Sequence, residues 1–252
     1  MLSFLKDLIA SFQEFVFVAG RAFQNIFRRP HYYGDVLIQM DIIGFGSLTI
    51  VMLTGFFSGA IIALQMSRAL NTYGAASQVG SIVSLTLVRE LGPVLTALLV
   101  AGRNASGIAS ELGSMKVTEQ IDAMRALGTD PVQKLITPRL TATSVMLPLL
   151  TVIADAIGLV GAYLVSVPLL GLLTGSEYWS SSWQVLVYND LAQGLIKPFI
   201  FGIIIALVGC FYGMRTSGGT QGVGHATTQA VVASSIWIFF VALLIDKIFV
   251  NL

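Results

Sequence analysis

Five stretches of about twenty or more mostly apolar residues, roughly 44–66, 82–102, 140–173, 191–213 and 226–250, limit what this chain can fold into. About 20 such residues let a helix cross the hydrocarbon of a bilayer. In hydrocarbon a backbone must satisfy its own hydrogen bonds, which leaves helices or closed barrels. These runs are continuous rather than alternating ten-residue strands, so the pattern predicts an all-α integral membrane protein with five transmembrane helices. The third run holds Pro148 and Pro168, which predict a kink or a break near one of them.

Composition agrees. Of 252 residues, 55% are hydrophobic and 11% are charged, against about 25% charged in an ordinary soluble domain. A net charge of +1 gives no argument for nucleic acid. The lone Cys210 excludes an intramolecular disulfide and reads as a small packing residue. Lys6, Asp7 and Glu14 interrupt any apolar core of a cleavable signal. His31 and His225 are far apart and no Cys–His cluster exists, so neither a metal nor a cofactor is expected. The glycine-rich Gly213–Gly224 stretch lacks the Lys-Ser or Lys-Thr of a nucleotide-binding loop, and nothing else resembles a catalytic centre.

The first 43 residues form a region of their own, ahead of a five-span domain over 44–252. Leu5, Leu8, Ile9, Phe12, Phe15, Val16, Ala19, Phe23, Ile26 and Phe27 recur at helical spacing, with Lys6, Asp7, Gln13, Glu14, Arg21, Gln24, Asn25 and Arg28 on the other face. That predicts a helix lying in the membrane interface, the alternative being a helix packed on the protein's own core. Arg28-Arg29-Pro30 should end it.

Between the second and third runs, residues 103–139 carry nine charges, from Arg103 and Glu111 to Lys134 and Arg139. This segment should form a structured loop outside lipid, with Leu112, Met115, Ile121, Met124 and Leu127 giving it an amphipathic helix. With the N-terminus inside, ten of the 14 Lys and Arg fall on the inner side or its edge, which predicts an N-in, C-out topology. Residues 174–190, with Tyr178, Trp179, Trp183 and Tyr188, are then an outer aromatic belt or a short interfacial helix.

Arg89 and Glu90 lie inside the second run, where charge costs about 2.5–3.5 kcal/mol on insertion scales. They read as a polar patch in a substrate cavity with apolar walls from Ile62, Leu70 and Leu91, as an ion network joining helices, or as interfacial snorkelling at the helix end. Asp155 could line a cavity or bond a neighbouring helix. Gly55 and Gly59, Ala154-Gly158-Ala162 and Gly102-Ser106-Ser110 place small residues one turn apart for close helix contact, within one chain or between two.

Val88-Arg89-Glu90-Leu91-Gly92-Pro93, Ala101-Gly102-Arg103, Glu111-Leu112-Gly113, Val117-Thr118-Glu119-Gln120-Ile121, Asp130-Pro131 and Pro138-Arg139, in this order, resemble the MlaE (YrbE) family. Those proteins are permease subunits of bacterial lipid ABC transporters. The resemblance runs from about residue 15 to the C-terminus. It implies a homodimer in the bacterial inner membrane, N-terminus cytoplasmic and C-terminus periplasmic. It implies two copies of a separate cytoplasmic ATPase, a periplasmic ring of MCE-domain protein and, in some systems, a STAS-domain protein. The substrate would be a phospholipid. Gln65, Leu70, Tyr73, Arg89, Glu90 and Leu91 would line an outward-facing lipid cavity. A coupling helix at about 110–125, with Glu111, Met115, Thr118, Glu119 and Gln120, would sit in the ATPase. One departure is His225, before Ala226-Thr227-Thr228, where well-studied members have Arg.

Two other classes compete. An ion-coupled secondary transporter could use Arg89, Glu90 and Asp155 as a relay, although no half-to-half repeat is visible. A non-transporting scaffold leaves the membrane charges unexplained.

Overall fold

The computed structural model describes the backbone of residues 2–250 and the side chains of residues 9–249, so the expected facing of Leu5, Lys6, Asp7 and Leu8 lies outside the described residues. The helices, in chain order, are α1 (Leu2–Ile26), α2 (Tyr33–Thr72), α3 (Ala76–Val117), α4 (Gln120–Ala126), α5 (Val132–Leu169), α6 (Gly175–Gln184), α7 (Tyr188–Met214) and α8 (Gly219–Val250). Five of them, α2, α3, α5, α7 and α8, are long and apolar enough to span a membrane.

The span count matches the sequence reading, but the spans are longer. α3 covers 42 residues and α5 covers 38. The expected loop over 103–139 is mostly helix, broken only at 118–119 and 127–131. Charge ends a hydrocarbon run but not a helix, provided each charge finds a partner. Arg139, 4% exposed, reaches Glu111 at 2.7 Å and the Leu135 carbonyl at 2.7 Å. Arg103 donates to the Ile42 carbonyl.

The coupling helix expected over 110–125 is likewise split. Thr118 Oγ1 bonds back to the Ser114 carbonyl, and Glu119 takes a left-handed conformation at φ 60°. A hydroxyl competing for the last carbonyls and a left-handed residue together stop α3 and restart the chain as α4. α5 begins with Asp130-Pro131: the Asp130 carboxylate accepts from the Val132 N–H, and Pro131 needs no donor there. Helix runs through Pro148, while Pro168 lies in a π-helical turn, Val165–Leu169.

By packing, the chain divides into two compact units. The first comprises Met1–Ile43, Ala101–Ser144 and Gly202–Trp237. Its core contains Ala22, Ile108, Leu112, Ile121, Ile136, Leu140, Ala206 and Cys210, and one face of α1 packs on it through Phe15, Val18, Ala19 and Ile26. Ile9, Phe12, Val16 and Phe17 stay more than half exposed. One apolar stripe of α1 therefore joins the core, as the alternative reading of the sequence allowed, and a second apolar stripe stays exposed. Asn25, expected on the water-facing side, is buried instead and donates to Asp130, which also takes Arg21. Gly209 and Gly213 of α7 lie against Ala105 and Ala109 of α3.

The second unit comprises Gly44–Val100, Val145–Phe201 and Ile238–Leu252. Here Gly55 and Gly59 of α2 meet Ala154 and Gly158 of α5 at backbone distance, so this small-residue face packs within one chain. Gly102, in the first unit, has open space instead. α6 carries a capping box, Thr174 with Glu177. Its Tyr178 is a core residue rather than part of a belt: it is fully buried, donates to the Leu159 carbonyl at 2.9 Å, and burial pushes its hydroxyl up to about 12. Trp183 and Tyr188 are exposed.

Candidate functional site

The chemistry of the second unit starts from a proline. In an α-helix the carbonyl of residue 89 accepts from the N–H of residue 93, and Pro93 has none. The helix answers with a π-helical turn over Leu87–Leu91, and Lys197 Nζ of α7 donates to the Arg89 carbonyl at 2.6 Å. Wide turns of this kind are frequent at functional sites. The turn carries Arg89 and Glu90.

The two side chains do not pair with each other. Arg89 Nε donates to Asp190 Oδ1 at 2.6 Å, and Asp190 is 1% exposed. The other Asp190 oxygen accepts from the Val187 N–H at the start of α7, which fixes the carboxylate in place. Glu90 Oε1 receives Lys197 Nζ at 3.0 Å, and the same ammonium meets Asp246 of α8. Lys197 is completely buried, whereas Glu90 and Arg89 keep 47% and 43% of their side chains exposed. Buried positive charge is thus tied down, and the negative and positive outer ends stay reachable.

The sequence-predicted residues fall into separate groups. Ile62, Leu70 and Leu91 share one apolar cluster with Val79, Val83, Leu159 and Tyr178. Gln65 and Tyr73 are exposed on the later part of α2 and just after it. Arg89 and Glu90 belong to the ion network. Asp155 is buried with one carboxylate oxygen unpartnered, pressed against Gly92 beside a cavity of about 10 Å³. Elsewhere in the second unit, Ser77, Ser81, Ser181 and Gln184 line a polar cleft of about 630 Å³.

Of the residues assigned to coupling, Glu111 is held by Arg139 and Met115 packs on the first unit's core. Thr118, Glu119 and Gln120 are exposed at the α3–α4 corner. Lys116 and Arg125 clamp Asp122 beside it, and the Lys116 hydrogen bond holds that carboxyl below its usual range. His225 lies with Arg215 and Gln229 on a cavity of about 320 Å³.

Sequence reasoning missed Asp190, Lys197 and Asp246. The signal was available, since an ionisable residue in an apolar run calls for an opposite charge in another run. Which runs meet there is not legible without the fold.

The Permease MlaE family matches residues 36–248. A probable ABC transporter permease protein of Rickettsia bellii is 42% identical over 96% of this chain and 93% of its own. The chloroplastic protein TRIGALACTOSYLDIACYLGLYCEROL 1 of Arabidopsis thaliana is 35% identical, over 92% of this chain and 66% of its own. The intermembrane phospholipid transport system permease protein MlaE of Haemophilus influenzae is 33% identical over 94% of this chain and 93% of its own. With five apolar spans and a family match over most of its length, the chain is a multi-pass membrane protein of the MlaE permease family.

Proposed function

We propose that the protein is the permease subunit of an ABC transporter that moves a phospholipid between the bacterial inner membrane and a periplasmic MCE-domain partner. A separate cytoplasmic ATPase would power it, and a STAS-domain protein would join in some assemblies. The phospholipid system named for the Haemophilus relative supports the substrate class. The observation that carries the reading is the half-exposed Arg89 guanidinium anchored through Nε by a buried carboxylate. Such an anchor orients the head while its outer donors can take a phosphate as a fork. Glu90 beside it would meet a polar head group, and Ile62, Leu70 and Leu91 would wall the acyl region, with Gln65 and Tyr73 at its edge. Two copies sharing a seam would supply the width that a two-chain lipid needs.

Orientation follows the basic residues, N-terminus cytoplasmic and C-terminus periplasmic. The α3–α4 corner then faces the ATPase, with Thr118, Glu119 and Gln120 as its outermost contacts and Glu111 and Met115 holding it rigid. A rigid corner transmits displacement, which is what coupling requires.

The test is photo-crosslinking of a phospholipid to Arg89→Ala in the assembled transporter. Crosslinking and transport should both fall with assembly intact. If instead the subunits fail to assemble yet bind lipid normally, Arg89 is a structural ion partner and the cavity reading is wrong.

A further inference from the structure

The first unit has an amphiphilic groove that shares no residue with the Arg89 site. Its apolar part is a cavity of about 560 Å³, walled by Phe12 and Phe15 of α1, Phe211 of α7 and Trp237 of α8. Phe211 and Tyr212 also line the adjoining polar cavity of about 320 Å³, which holds Arg215 and His225. At the join, the Arg215 guanidinium lies over the Phe211 ring, 5.1 Å from its centroid. The cation stands directly after the last residue of α7, where a span gives way to polar chain.

We propose that this groove holds one bilayer phospholipid of net negative charge, tails against Phe12 and Trp237 and phosphate at Arg215. A tail leaving the bilayer for an apolar groove passes from hydrocarbon to hydrocarbon and gains little. Selection therefore rests on the polar end. There the one carboxylate that Arg215 meets among the described residues is Glu14, at 3.6 Å, with both side chains about half exposed. An exposed pair of that kind contributes little, so a phosphate offering two oxygens to the fork displaces the carboxylate. His225 adds a second donor to the head group, and Glu14 opposes the lipid it would have to give way to.

The experiment places a photoreactive benzoylphenylalanine at Phe12 of the full chain in phosphatidylcholine nanodiscs doped with phosphatidylglycerol. Adducts are identified by mass spectrometry. Phosphatidylglycerol should be enriched severalfold among them relative to the disc. Arg215→Gln should return the ratio to that of the disc, and Glu14→Gln should raise it above the parent protein's. Adducts at the bulk ratio, or enrichment that Arg215→Gln leaves unchanged, would overturn the proposal. Adducts to a second copy of the chain would overturn it too, because the groove would then be a subunit interface.

Discussion

Lys197 is wholly buried yet bound to three acceptors: the Arg89 carbonyl, Glu90 and Asp246. Removing it leaves two carboxylates facing each other and a carbonyl that Pro93 had already deprived of its helical donor. Breaking a buried pair from one side costs about 3–5 kcal/mol, so Lys197→Met should destabilise by roughly that much. Glu90→Gln keeps Asp246 on the ammonium and a hydrogen-bonding group in place, at about 1 kcal/mol. Thermal unfolding of the two variants in one detergent gives the order; if Glu90→Gln proved the costlier, Lys197 would not be the centre of the network. Asp190 is the quieter partner, since it aims Arg89 and caps α7 with one carboxylate.

At the scale of elements, close packing separates glycines that read alike in sequence. A Cβ on Gly59 would lie 1.9 Å from the Gly158 carbonyl oxygen, so Gly59→Ala must push α2 off α5. Overpacking of this kind costs about 1–3 kcal/mol. A Cβ on Gly20, in α1, meets nothing within 4 Å, and Gly20→Ala should stabilise by up to about 1 kcal/mol. Paired melting curves that moved in the same direction would contradict the contrast. The α3–α4 corner offers a third case: Glu119 is left-handed at φ 60°, which costs a non-glycine residue about 1–2 kcal/mol. Glu119→Gly should thus stabilise the corner, whereas Glu119→Lys, keeping the strain and reversing the charge, should weaken ATPase co-purification. Asp122 next to it titrates below its ordinary value because Lys116 bonds it. That contribution is present above the usual aspartate value of about 3.9 and disappears as the pH falls through the lowered one. Amide protection at 118–126, taken relative to the intrinsic exchange rate at each pH, should therefore fall only in strong acid.

For the whole molecule, the expected N-in topology makes a plain prediction. Cysteine placed at Ser180, in α6, should react with an impermeant thiol reagent applied outside intact cells. Cysteine at Ser114, near the α3–α4 corner, should react only after permeabilisation, and the reverse pattern would invert the topology. The five spans were legible because twenty apolar residues leave the backbone few options. Their ends were not, because α3 and α5 continue past the apolar runs on paired charges such as Arg139 with Glu111. The Gly55–Gly59 stripe was legible as a contact face, but its partner on α5 was not. Arg89 and Glu90 announced themselves as charges in an apolar run. Their counterions, 101 and 107 residues away in the chain, needed the fold.

The position of Asp246 on α8 bears on how the chain is made. Ribosomes deliver α7, with Lys197, before α8 exists. Until α8 arrives, the ammonium must lodge among apolar helices with a single carboxylate, Glu90, for company. Glu90 alone balances that charge one to one, but the ammonium has three N–H donors, and with the Arg89 carbonyl it finds its third acceptor only in Asp246. A chain lacking α8 would thus bury an N–H with nothing to accept it, a desolvation cost that the arrival of Asp246 removes.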